Sequence, residues 1–323
     1  MTRLSPEQLT AEVKRVARQA GAVLVGIASI DRFNPMPPYY DKPPRGHDPR
    51  QFVPNAQSVI SVAMPILNPT LDAPAVLADV DMEMVPPDIR HSYLERLYNE
   101  TAHAVHDHML EFIGQLVGQF LLAQGYEAMF FPTPGIHPAV TPGTKEMSER
   151  EIWQGPSRRW AEMYSPFRYP FGPFSHRHAA TRAGLGEFGY NNLVLTPQFG
   201  PRQRFNSIIT EAELIPDPLL AEPICLRDKC LLCLKACFME AITFRDDPKV
   251  RDYRSVDKVD KGRVFIDTPV KTDPVACSAR RDRAYTAPIR GDCYRICPVP
   301  HERTFLPKRL QAIVAEWKAE RKR

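Results

Sequence analysis

No cysteine precedes Cys225 in this 323-residue chain, and all seven lie at or beyond it. An odd number confined to the last third makes a poor disulfide framework and a good local metal-binding one, which implies a reducing compartment. Charge of one sign is also scarce: 42 Lys and Arg stand against 38 Asp and Glu, a net of +4. Apart from a basic tail that excess is spread along the chain, so it gives little support for a surface that wraps nucleic acid. The longest nearly apolar run, Gly21 to Ile30, is far too short to span a bilayer. The opening MTRLSPEQLTAEVKR contains neither an apolar signal core nor twin arginines. A soluble, cytoplasmic protein with no membrane partner is expected.

Apolar residues at 43% and charged residues at 25% are ordinary globular values, enough for a sizeable core. The 33 prolines are roughly twice average usage and predict many fixed connections. Ser5, followed by Glu7 and Gln8, reads as a helix N-cap, and Leu9, Val13, Val16 and Ala17 give the spacing of a helix over 6–20. Gly21 ends it. GAVLVGIASI and QSVISVAMPI are then strands. Between them, Arg32 to Pro54 holds seven prolines and reads as a surface loop.

The longest helical pattern covers 88–124, with Leu94, Tyr98, Ala102, Val105, Met109, Phe112, Leu116 and Phe120 on one stripe. His103, His106 and His108 lie near this stripe without carboxylate support and read as boundary histidines. Gly125 caps the pattern, and YEAMFF follows as a strand. Residues 132–175 are rich in proline and aromatics, as expected of an ordered lid over a pocket. A helix from His176 to Ala183 leads into AGLGEFG, then strands VLTP and SIITEAEL. The final helix, 307–322, carries Leu310, Ile313, Val314 and Trp317 on one side.

The strongest chemical signal is Cys225-x4-Cys230-x2-Cys233-x3-Cys237, followed by Cys277 and by Cys293-x3-Cys297-Pro298. Closely spaced thiolates on a tight turn reach several irons of one cubane, and a distant cysteine completes the set. In two-cluster ferredoxins the last cysteine of each run ligates the other cluster. That crossing predicts Cys225, Cys230, Cys233 and Cys297 on one [4Fe-4S] cluster, leaving Cys237, Cys277 and Cys293 for a second. Arg290 stands where a further cysteine would pair with Cys293, so the second cluster is expected to be [3Fe-4S], or [4Fe-4S] with a non-cysteine ligand or an open iron. The C-x4-C-x2-C spacing also matches plant-type [2Fe-2S] ferredoxins, and four cysteines can hold zinc.

Gly184-Leu-Gly186-Glu-Phe-Gly189 is formally a dinucleotide fingerprint, but a helix precedes it and a strand follows it, the reverse of the required order. It reads instead as a sharp helix-to-strand turn close to a ligand. With Asn191, these glycines are the candidate cofactor-binding residues.

The segments HAATRAGLGEFGYNNLVLTPQFGPRQRFNSIITEAELIPD, CLRDKCLLCLKACFMEAI and CYRICPVP resemble the cobalamin-dependent reductive dehalogenase and epoxyqueuosine reductase superfamily. AGLGE and GPRQR lean toward the dehalogenases. The fold implied by the resemblance is α/β (α+β). It comprises a nitroreductase-like core over 1–215 holding a base-off cobalamin, a two-cluster ferredoxin-like module over 216–305, and a basic C-terminal helix over 306–323. No D-x-H-x-x-G occurs, so a histidine-ligated cobalamin of that type is not supported, and base-off binding would explain the absence. The resemblance also makes Tyr169 the nearest match to the dehalogenase proton donor and Arg204 its cationic partner. A tyrosine of ordinary pKa, about 10, is a weak acid that a nearby cation strengthens. Three departures from the superfamily pattern stand out: Phe238 in place of the usual proline, two extra residues between Cys225 and Cys230, and Arg290.

The activity implied is reduction of a small organic substrate, with electrons from an external donor such as a ferredoxin, a flavodoxin or a reductase. Within the same superfamily the alternative is an epoxyqueuosine reductase-like enzyme acting on tRNA. Outside enzymes, the alternative is an iron-sulfur electron-transfer protein that has lost its corrinoid.

Overall fold

The computed structural model describes residues 4–34, 48–77, 104–131, 174–238, 240–244, 262–267, 270–272, 291–303 and 305–322. The Ser5 hydroxyl accepts the Gln8 N–H at 3.3 Å, and the Gln8 side chain accepts the Ser5 N–H at 3.0 Å. This capping box starts α1 (Pro6–Gln19), which buries Leu9, Val13 and Ala17. Gly21, at φ +112°, turns the chain toward β1 (Leu24–Ser29). The central sheet has the order β1, β2 (Ser58–Pro65), β6 (Gln203–Thr210), β3 (Ala128–Phe130), with every neighbour antiparallel. The architecture is therefore of the α+β kind.

Strand alternation divides the core. Val25, Ile27, Ile60, Val62 and Ile208 share the face covered by α1 and α3 (Glu111–Ala123). Ala28, Val59, Ile209, Ala63 and Phe205 share the other, where the small residues Ala179, Ala180 and Ala183 of α4 (His176–Arg182) and its C-cap let that helix approach closely. The outer edge of β1 is closed by Asp217. Its backbone N–H donates to the Ile27 carbonyl at 2.9 Å, its carboxylate accepts the Ile27 N–H at 2.8 Å, and Lys14 pairs with it at 2.6 Å.

Before α3 the chain makes a π-helical turn over Ala104–Leu110, which changes the burial expected from a regular helix. Val105, Leu110, Ile113, Val117 and Leu121 are buried, whereas Met109 and Phe112, placed by the sequence on the apolar stripe, are 42% and 57% exposed. A π turn holds one extra residue, so the inward stripe steps from Val105 to Leu110 and stays displaced by one position. Leu121→Ala should therefore cost about 2–5 kcal/mol in urea unfolding. Phe112→Ala should cost less than about 0.5 kcal/mol, as expected for an exposed site. The part of this helical pattern before residue 104, and residues 132–173 of the aromatic segment, lie outside the described residues. Either side of that segment, the Phe131 and Phe174 rings stack with centroids 5.0 Å apart.

The strand expected at SIITEAEL begins earlier and ends sooner, because β6 pairs with the whole of β2, from Gln203 opposite Pro65 to Thr210 opposite Ser58. Arg204 thus belongs to a strand. VLTP forms only the two-residue β5 (Val194–Leu195), paired with β4 (Glu187–Phe188). Beyond the sheet, α5 (Leu232–Ala236) packs its Leu232 and Ala236 against Ile296 and against Leu310 and Trp317 of the last helix, α7 (Lys308–Glu320). Between these, α6 (Asp292–Arg295) carries Asp292, which pairs with Arg309 of α7, and Arg295, which donates to the Leu71 carbonyl of α2 (Asn68–Leu77) at 2.8 Å. A short hairpin of β7 (Ile242–Phe244) and β8 (Val270–Thr272) completes the described elements.

Candidate metal centre

The cysteines sit where regular structure is shortest. After Cys225 the chain makes a single 3-10 turn, Arg227–Lys229, and Arg227 and Leu231 adopt left-handed backbone with φ of 53° and 52°. Such conformations are costly for non-glycine residues and persist where surrounding contacts impose them. The turn brings Cys225, Cys230 and Cys233 to the wall of one pocket, and Cys297, from beyond α6, enters the same wall. Tyr190, Asn191 and Leu195 close it on the side of the sheet.

Burial pushes all four thiols up: Cys230 to about 11, Cys297 to about 12, and Cys225 and Cys233 in the same direction. For Cys233 the next causes are Cys225, Cys297, Cys230 and Cys293, so it lies at the centre of the thiol group. A cavity that disfavours thiolates this strongly becomes a good ligand set once cationic iron is present to hold the sulfurs deprotonated. Among the described residues no group of three or more His, Cys, Asp or Glu side chains is arranged to hold a single metal ion. The four thiols line one pocket.

Cys237 and Cys293 pack in one apolar group with Phe265 and with Cys233 and Tyr190, which also line this pocket. The Cys237 sulfur accepts the Ala241 N–H at 3.2 Å. Cys277 and Tyr169 lie outside the described residues.

The candidate cofactor glycines meet the chain's own backbone. A Cβ on Gly184, whose φ is +75°, would stand 2.0 Å from the Pro218 carbonyl oxygen, and one on Gly186 would stand 2.0 Å from that of Leu195. Gly189 is likewise packed against the Leu195 side chain. These glycines permit the tight helix-to-strand turn and its contact with neighbouring segments. Asn191 does line the pocket, and its amide donates to the Cys293 carbonyl at 3.4 Å. Arg204 stands opposite Met64 on β2, and by strand alternation it belongs to the α1/α3 face of the sheet, opposite Phe205 and the thiol pocket.

Three residues not singled out by sequence hold the pocket in shape. Arg202, 4% exposed, donates to the carbonyls of Cys297 at 3.1 Å, Val299 at 2.7 Å and Tyr294 at 3.4 Å. Glu187 is fully buried. One of its oxygens accepts the N–H groups of Ile224 at 2.6 Å and Cys225 at 2.7 Å. The other accepts Arg227 at 2.9 Å and the Phe265 N–H at 3.0 Å. Arg227 also donates to the Arg263 carbonyl and lies 4.0 Å over the Phe265 ring. The available signals were slight: Glu187 is the charged residue within AGLGEFG, and Arg202 is the other arginine of GPRQR.

No family model matches the chain. Tetrachloroethene reductive dehalogenases of Desulfitobacterium hafniense and Dehalobacter restrictus are each 45% identical over 74 residues, 22% of this chain and 13% of theirs. A catabolic reductive dehalogenase of known structure aligns with a TM-score of 0.55 at 17% identity, over 98% of this chain and 37% of its own. The chain shares the fold of part of a reductive dehalogenase. These relatives agree with the superfamily resemblance carried by AGLGEFG, GPRQR and the cysteine runs. The chain spans about a third of the solved dehalogenase's length, 37%, and a smaller part of the curated relatives, 13%. That dehalogenase is also known in complex with 3-bromo-4-hydroxybenzoic acid. An epoxyqueuosine reductase from Bacillus subtilis aligns at a TM-score of 0.40 and 17% identity, over 83% of this chain and 70% of its own. No helix among the described residues is long and apolar enough to cross a membrane.

Proposed function

We propose that the chain is an iron-sulfur reductase of the reductive dehalogenase type, in which two clusters carry electrons to a base-off corrinoid and a small organohalide is reduced. The observation that carries this reading is the convergence of Cys225, Cys230, Cys233 and Cys297, drawn from two separated runs, on one pocket, with Cys237 and Cys293 in an apolar group that includes Cys233. The overall reaction takes up two electrons and one proton, breaks a carbon–halogen bond, forms a carbon–hydrogen bond and releases halide.

The described pocket presents four thiols, the donor set of an iron-sulfur cluster. Residues 132–173, assigned by the sequence to the cover of the substrate site, are not among the described ones. Support for the corrinoid is the sequence resemblance; when bound, it would supply the reduced metal centre for cleavage of the carbon–halogen bond. The chain's own residues have definable tasks. The four thiols hold the first cluster, and Cys237, Cys277 and Cys293 hold the second. Arg202 fixes the Cys297 loop and places positive charge near a thiolate-ligated cluster. Tyr169 delivers the proton, and Arg204 supports the phenolate left behind.

Anaerobic reconstitution with iron, sulfide and cobalamin tests the reading. Cobalamin absorption retained through gel filtration, in addition to the iron-sulfur band, is the expected result. Iron-sulfur absorption alone would contradict the corrinoid and leave an electron-transfer protein.

A further inference from the structure

We infer that Glu187 and Arg227 form a buried charge clamp that shapes the Cys225 side of the pocket and sets the redox potential of the cluster held there. The inference rests on the proposed iron-sulfur reading for its redox part, whereas its structural part stands on the protein's own contacts.

Glu187 joins segments far apart in sequence: the AGLGEFG turn, the entry to the first cysteine run at Ile224 and Cys225, and Phe265. Its side chain is 0% exposed and that of its partner Arg227 is 3% exposed. A carboxylate so enclosed is tolerated because its oxygens accept backbone N–H groups as well as the guanidinium. The contacts fall on the part of the cysteine run that is unusually long. With four residues between Cys225 and Cys230, the first thiol is less constrained by its own loop, and Arg227 takes a left-handed backbone, φ 53°, within that insert. Glu187 anchors the Cys225 backbone directly and draws the Arg227 side chain inward, so the insert is fixed at its start and at Arg227. Each is a positioning residue, with no contact required to substrate.

The electrostatic consequence has a definite sign. As a pair the two charges largely cancel at the cluster. Removing the carboxylate leaves a buried cation, which favours the reduced cluster; removing the guanidinium leaves a buried anion, which favours the oxidised one.

Redox titrations monitored by electron paramagnetic resonance on E187Q, R227M and the double variant provide the test. The midpoint potential should rise in E187Q, fall in R227M and return near the wild-type value in the double variant. A loop-shaping role alone would move both single variants the same way or lower cluster occupancy equally, and either result overturns the electrostatic claim. If a single variant does not assemble, the double variant and R227K, which keeps the charge, are compared with wild type; potentials near wild type in both support the clamp, and a large shift in the charge-retaining R227K contradicts it.

Hydrogen exchange of the cluster-free protein separates this inference from the iron-sulfur reading. The Ile224, Cys225 and Phe265 amides should exchange about tenfold or more faster in E187Q, the scale of hydrogen bonds to a charged acceptor. Unchanged exchange overturns the clamp even if wild type holds its clusters. Faster exchange with no cluster in wild type sustains the structural clamp while the iron-sulfur reading fails.

Discussion

Tyr169→Phe should lower halide release from an aryl halide, driven by a reduced viologen, by roughly 100-fold or more, the usual scale for loss of a general acid. Iron and corrinoid content should be unchanged, because the substitution removes a hydroxyl that binds neither. Arg204→Met should reduce turnover in the same assay with iron retained. Arg202→Met provides the contrast. Arg202 is bonded to the carbonyls of Cys297 and Val299, so its loss should release iron along with activity. Full turnover in Tyr169→Phe would remove that residue from the mechanism. Full iron content in Arg202→Met would mean that the Cys297 loop needs no such anchor.

The largest effect on the metal centre is expected from Cys233→Ala. Cys233 is the thiol whose surroundings include Cys225, Cys230, Cys297 and Cys293. Losing one of four thiolates opens a cubane to solvent and iron loss, so metal analysis should find about half the wild-type iron, corresponding to one of two clusters. The residual absorption should belong to the second cluster. Undiminished iron in Cys233→Ala would place the first cluster on a different ligand set.

The cysteine pattern was legible because ligand spacing is a local property of sequence, and the thiols of one predicted set do share one pocket. Helix α1 was legible for the same reason, with its cap and apolar spacing contained within a few residues of each other. Features that depend on distant partners were not. Arg204 lies within β6, opposite Met64, whereas Arg202 lies just before the strand and is held by the carbonyls of Cys297 and Val299, a contact made across more than ninety residues of sequence. The π turn displaced the α3 stripe by one residue, a change that leaves no mark on apolar periodicity before the turn. The glycines of AGLGEFG suggested closeness to a ligand, yet the groups that approach them are carbonyls and side chains of Pro218 and Leu195. Glu187 escaped notice because its partners, Cys225, Arg227 and Phe265, lie tens of residues away.

The central claim, that these thiols hold iron-sulfur clusters, is tested most directly by metal and acid-labile sulfide analysis of anaerobically purified wild-type protein. The expected result is about seven to eight irons per chain, the sum of one cubane and one three- or four-iron cluster, with matching sulfide and charge-transfer absorption. Stoichiometric zinc, with no labile sulfide and no visible absorption, would contradict it.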